Sequence, residues 1–280
     1  MIQSLFSGVS ALLADQTDMD VIGNNIANAN TTAFKASTAN FTESFLQVTQ
    51  AATANQPVGL GVGLGTEVSS TTTNFNQGVF QTTNVPTDMG INGNGWFAVQ
   101  SVSGQNYVTR DGDFVEDSNG FLRTPSGDYL MGVMGATAPT SPSTGFPPSQ
   151  IQIPTTMTDG SSVTGFTIDT TGAITITGAD GTTQVAGYIT LQNYDNNNGL
   201  TDAGNSMYSY EPAAGANQYY QASSPGIGSV QTGVLEASNV DLSTEFSNMI
   251  IAQNGFNAAA RVITTSDQML QTVTQLTQGQ

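Results

Sequence analysis

The chain has 280 residues, with 21 Asp and Glu against 4 Lys and Arg, a formal net charge of −17, and neither cysteine nor histidine. This excludes a disulfide framework, a Cys/His zinc site, a cysteine nucleophile and a Ser–His–Asp triad. The four cations, Lys35, Arg110, Arg123 and Arg261, are too few to neutralise a nucleic-acid backbone, and the acidity opposes docking on anionic lipid.

Charged residues make up only 9% of the chain, against about 25% in an average soluble domain. Its surface is therefore mostly neutral-polar, as in secreted and extracellular structural proteins. The opening MIQSLFSGVSALLADQ has no basic n-region and no long apolar run, so a cleavable secretory signal is not expected. No window approaches the ~20 apolar residues of a membrane span. Such a protein either stays inside the cell or leaves by a specialised route without cleavage.

Residues 2–29 read as a helix. Ile2, Leu5, Val9, Leu12, Met19 and Ile26 fall on three- and four-residue steps, the spacing of a coiled-coil seam, with Gln16 and Gly23 interrupting it. Asn28-Ala29-Asn30-Thr31-Thr32 supplies the stop. Residues 36–70 read as a connector, with the Gly- and Ala-rich stretch 46–66 as linker.

From about residue 71 to 239 the period shortens. Glu67–Thr73, Trp96–Val102, Tyr107–Thr109, Gly165–Asp169, Ala173–Thr177 and Gln184–Gln192 are short and rich in strand formers. Turn signals such as Asn92-Gly93, Asp111-Gly112, Asn119-Gly120 and Asp180-Gly181 separate them. Residues 136–148, with four prolines, read as a surface loop.

A second helix is expected over 241–277, with Asp241 as N-cap and Glu245 in its first turn. Leu242, Phe246, Met249, Phe256, Ala260, Ile263 and Leu270 continue a 3-4 pattern. At 1.5 Å per residue this helix is about 54 Å long, more than a compact domain needs.

The expected architecture is α+β: an antiparallel all-β domain over 71–239, and a discontinuous helical domain of 1–35 and 240–280 whose helices pair as a coiled coil. Apolar residues off the seams, among them Phe6, Leu13, Ile22, Ile250, Val262, Met269 and Val273, point to burial against neighbouring copies. The plainer alternative folds both helices back onto the sheet.

No catalytic, cofactor or metal site emerges. Asp195–Gly199 fails calcium-loop spacing, because Leu200 and Ser206 stand where Gly and Glu are required. Asp111, Asp113, Glu116 and Asp117 are explained by turns better than by paired-carboxylate catalysis. The alternating glycines of 59–65 lack the Lys and the following helix of a phosphate loop. Trp96 and Phe97 read as strand core.

Residues 4–35, SLFSGVSALLADQTDMDVIGNNIANANTTAFK, resemble the N-terminal signature of the bacterial flagellar rod and hook family, most specifically over Asp20–Asn28. Residues 238–276 are similar to that family's C-terminal helix. TDMGINGNGWF (87–97), YVTRDGDF (107–114) and GLTDAGNSMY (199–208) extend the likeness between them. Ala33 stands where that family commonly has glycine, and Asn254 where a basic residue is frequent. The first should stiffen the turn after the helix, and the second removes a charge contact between subunits.

The resemblance implies a structural, non-enzymatic subunit of a hollow helical tube, exported unfolded and folded at the growing tip. Its partners would be copies of itself, other flagellar axial proteins, and cap and hook–filament junction proteins. It favours a hook subunit; a distal rod subunit is the alternative, supported by a length that leaves little room for an extra outer domain. A carbohydrate-binding extracellular β protein is the reading from a different class. The residues expected to carry assembly, on the helix seams and the family motif, are Leu5, Val9, Leu12, Met19, Ile22, Asn24, Asn25, Ile26, Asn28, Phe34, Lys35, Leu242, Phe246, Met249, Phe256, Ile263 and Leu270. With −17 per copy, assembly should weaken at low ionic strength.

Overall fold

A computed structural model describes residues 2–50, 60–139 and 142–278. The fold is α+β and divides into two units, one of residues 1–29, 36–74 and 240–280, the other of 30–35 and 75–239.

The first unit holds α1 (Ile2–Ala27), β1 (Ser37–Glu43), β2 (Leu46–Gln50), β3 (Leu60–Gly63), β4 (Thr66–Thr73) and α2 (Leu242–Gln278). Asp241 caps α2: its carboxylate accepts the Ser243 amide at 2.9 Å and the Thr244 hydroxyl at 3.2 Å, satisfying donors that the first helical turn leaves open. The helices run antiparallel. Ser4 meets Ser266 at 3.3 Å, Gly8 faces Ile263, Gly255 faces Asp15, and Asn25 donates to Glu245 at 3.2 Å.

Buried positions on α2 recur every seven residues at Glu245, Ala252, Ala259 and Ser266, a heptad spacing. The seam expected from apolar spacing does not include this row, but its Met249, Phe256, Ile263 and Leu270 are half-buried beside it. Leu242 and Phe246 on α2 and Val9 on α1 are exposed. Close approach of the two backbones favours small or hydrogen-bonded polar side chains on this fully buried row, while Leu242, Phe246 and Val9 turn outward.

The stretch read as a connector is largely strand. β1 pairs antiparallel with β4, from Ser37↔Thr73 to Glu43↔Thr66, with a bulge at Asn40/Phe41. β2 pairs with β3 beyond it, and residues 51–59 of the expected linker lie outside the described residues. Hydroxyls tie β1 to β4: Ser37 to Thr73 at 3.3 Å and Thr38 to Thr72 at 3.2 Å. α1 lies against this hairpin, where Ser10 Oγ accepts the Thr66 amide at 3.4 Å. Gly65, at φ 120°, brings its backbone so close that a Cβ would fall 2.0 Å from Ser10 Oγ.

The second unit is built from β5 (Phe80–Thr82), β6 (Met89–Asn92), β7 (Trp96–Gln100), β8 (Asn106–Thr109), β9 (Val115–Glu116), β10 (Leu122–Arg123), β11 (Tyr129–Met134), β12 (Ser143–Thr144) and β13 (Ser149–Gln150). It continues through β14 (Val163–Ile168), β15 (Ala173–Gly178), β16 (Thr183–Asn193), β17 (Thr201–Gly204), β18 (Met207–Ser209), β19 (Gln218–Gln221), β20 (Ser229–Thr232) and β21 (Val234–Glu236). The main sheet runs β12-β19-β16-β11-β7-β8-β18-β17, with the β14–β15 hairpin on β16. All its pairings are antiparallel. The expected loop over 136–148 contains β12, which pairs with β19, while 140–141 lie outside the described residues.

Alternation along β7, β11 and β16 packs Phe97, Val99, Leu130, Ile189 and Leu191 with Met89, Phe114 and Ile151 into one apolar core. A smaller cluster surrounds Trp96, whose ring is edge-on to Phe75 and Tyr208 at 5.5 and 5.2 Å. β5 pairs with β21 and β6 with β20. These pairings bring the last strands of the unit back to its first ones.

Candidate assembly surfaces and the buried clamp

The sequence motif around Phe34-Lys35 lies at one end of the second unit, beside the segment that leads towards α2. Ala33 N–H donates to the Glu236 carbonyl at 2.8 Å, and Asn239 N–H to the Phe34 carbonyl at 3.3 Å. Lys35 is fully buried; its Nζ donates to Glu236 Oε1 at 2.5 Å and to the Asn76 carbonyl at 2.9 Å. Glu236 Oε1 also accepts the Gly78 amide at 2.8 Å, and Arg110 Nη1 stands 3.6 Å from Oε2. The Arg110 guanidinium lies 5.4 Å from the Trp96 ring centroid and donates to the Gly93 carbonyl at 2.9 Å.

Two of the chain's four cations thus converge on one buried carboxylate. Burial pushes both Lys35 and Arg110 below their ordinary pKa values, against the pull of Glu236. A group of this kind contributes less to net stability than to fixing geometry, because desolvation offsets most of the Coulomb gain. Here it holds 30–35 and 236–239 side by side. Ala33 adopts φ 55° in this turn and is almost fully buried, a left-handed conformation that costs a non-glycine residue about 1 kcal/mol.

The remaining residues expected on assembly surfaces spread over the helices. Ile22 and Asn25 are buried, and Leu5, Leu12, Met19, Ile26, Asn28, Met249, Phe256, Ile263 and Leu270 are half-buried. Asn24, like Val9, Leu242 and Phe246, is exposed. Asn25 fastens α1 to its neighbours. Its Nδ2 donates to the Ser37 carbonyl at 2.7 Å and to Glu245, and its Oδ1 accepts the Ser37 amide at 3.0 Å. Burial raises the Glu245 carboxyl above its ordinary value despite the Asn25 bond.

Large apolar side chains remain on the outer faces: Phe6 and Leu13 on α1, and Ile250, Ile251, Met269, Val273 and Leu276 on α2, each more than 40% exposed. So many unsatisfied apolar groups on one helix pair is a signature of a surface that other protein covers. Sequence reasoning missed Glu236 and Arg110. The scarcity of cations was the available signal, since each one in so acidic a chain is a candidate for a structural pair. Among the described residues no helix is long and apolar enough to cross a membrane, and no cluster of acidic residues is arranged to hold a metal.

Comparison with known proteins agrees along the chain. Residues 5–35 match the family described as "Flagella basal body rod protein", residues 90–176 "Flagellar hook protein FlgE/F/G D1 domain", and residues 231–276 "Flagellar basal body rod FlgEFG protein C-terminal". The chain is 36% identical to the flagellar basal-body rod protein FlgG of Bacillus subtilis, over 99% of both chains. It is 33% identical to the protein of the same name from Agrobacterium fabrum, over 95% of this chain and 96% of that one. A flagellar hook protein FlgE of Helicobacter mustelae is 46% identical over 142 residues, which cover 48% of this chain and 31% of that protein.

Proposed function

Because the chain belongs to the bacterial flagellar rod and hook family, we propose that it is a structural subunit of the distal rod, polymerising into a hollow tube that transmits torque. One observation carries the choice of rod over hook. The likeness to rod proteins runs end to end in both chains, whereas the likeness to a hook protein covers about a third of that protein's length. The hook remains a second reading, favoured by the higher identity within the shared 142 residues.

In this reading the role is mechanical and has no catalytic step. The terminal helices pair as a coiled coil and line the tube. The buried heptad of α2 supplies the pairing face, and the exposed apolar residues are covered by other copies. Each large side chain so covered contributes roughly 1–2 kcal/mol to assembly. The Lys35–Glu236 clamp holds residues 30–35 beside 236–239 within the β unit. Subunits travel to the growing tip unfolded, and they meet other axial proteins at each end of the tube.

The test is fractionation of isolated hook–basal bodies. Rod subunits should stay with the basal body when hooks are detached, and should be present in cells that make no hook. Recovery of the chain only with detached hooks would establish the hook reading instead.

A further inference from the structure

A groove of about 230 Å³ opens in the helical unit between α1, α2 and β1, with Ile22, Phe41 and Ile251 on its apolar walls and Asp18, Glu245 and Asn248 as its polar ones. It is smaller than the roughly 300–1,000 Å³ of small-molecule sites, and is the size of a recess for a side chain. Its polar side lacks a counter-charge. The unit contains eight Asp and Glu and a single cation, Arg261.

Arg261 is exposed on α2 and, among the described residues, has no ion-pair or hydrogen-bond partner for its guanidinium, whereas Lys35, Arg110 and Arg123 are all paired. It cannot serve the groove of its own chain. Ile251 and Glu245 lie ten and sixteen residues away on the same helix, about 15 and 24 Å along its axis. We propose that the groove receives the Arg261 side chain of a second copy of this chain.

The inference rests on the self-assembly reading and gives it a specific contact. Burial raises both Asp18 and Glu245 above their ordinary values, and an incoming guanidinium relieves that penalty with charge-assisted hydrogen bonds. Knob and groove are different surfaces of one molecule, and in the self-assembly reading the contact is made head-to-tail rather than reciprocally between two copies. Repetition of such a contact builds an open helical array rather than a closed dimer. It also places attraction at one defined point on a strongly acidic unit, which sets subunit register.

The experiment compares polymerisation of full-length protein by sedimentation. Arg261→Glu and Asp18→Lys should each raise the critical concentration roughly thirty-fold or more, the consequence of breaking a buried interfacial charge pair. An equal mixture of the two variants should restore assembly, because each then supplies what the other's contact needs. If Arg261→Glu assembles at the wild-type concentration, or the mixture does no better than its parts, the inference is overturned. A second measurement does not depend on those variants folding. Arg261→Lys keeps the cation, and carbodiimide treatment of its polymer should give amide-linked ladders through Asp18 or Glu245; polymers without them would also refute the contact. Wild-type protein that forms no polymer at all would sink the self-assembly reading instead, and this contact with it.

Discussion

The buried clamp makes an asymmetric prediction. Lys35, Arg110 and Glu236 together carry a net charge of +1 in a pocket where Glu236 is about 1% exposed. Glu236→Gln leaves two buried cations with no counter-charge, a loss of about 3–5 kcal/mol. Lys35→Met leaves Arg110 and Glu236 as a neutral pair and removes two hydrogen bonds, at a cost of about 1–2 kcal/mol. For a unit of this size, about 2–4 °C of Tm accompanies each kcal/mol, so Glu236→Gln should melt about 6–20 °C lower. Trp96 is the only tryptophan, is almost fully buried and lies beside Arg110, so its fluorescence during urea unfolding follows this unit alone. The double variant should lose less than the two single losses combined, because its members share partners. If Lys35→Met proved as costly as Glu236→Gln, or Glu236→Gln cost under 1 kcal/mol, the charge argument would be wrong.

Two further predictions concern the helical unit. Asp15, Asp18 and Glu245 all have pKa values raised by burial, so the folded unit holds protons more tightly than the unfolded chain. That contribution to stability is complete below the ordinary values of 3.8 and 4.5, and is lost as pH rises through the raised ones. Helix melting followed by circular dichroism should therefore move to higher temperature as pH falls from 7 towards 4.5, and Asp18→Asn should flatten the trend; a falling melting temperature over that range would contradict it. Asn25→Ala removes three hydrogen bonds at a buried position and should cost about 2–4 kcal/mol. Hydrogen exchange in residues 20–27 and in β1 should rise together, and exchange confined to one of them would show that Asn25 does not couple the two elements.

Much of this architecture was legible in the sequence because it depends on local periodicity. Both helices, the cap at Asp241 and the strands around Trp96–Gln100, Ala173–Gly178 and Thr183–Asn193 follow from spacing and turn residues. The fully buried row of α2 was missed for a physical reason. A 3-4 count follows bulky apolar side chains, but where two helices approach closely the buried row is Ala252, Ala259 and Ser266. β4 was expected over Glu67–Thr73, but β1 escaped notice because most of its positions are exposed, leaving little alternation to detect. The Lys35–Glu236 pair joins residues 201 positions apart, and no local pattern encodes a contact at that separation. The substitution at Ala33 could be seen in the sequence, yet only the backbone conformation reveals that it sits where glycine would be unstrained.

The closing contacts of both units lie near the two ends of the chain. In one, Glu236 pairs with Phe80 across β21 and β5; in the other, Asn25 meets Glu245, 220 residues later. Contacts that close loops this long form late and slowly, since the entropy of bringing the ends together must be met before either pairing stabilises anything. A chain emerging end-first cannot complete either unit until nearly all of it has appeared. Its topology therefore acts as a timer, postponing the final shape of both units until the segment around 236–245 has joined the rest.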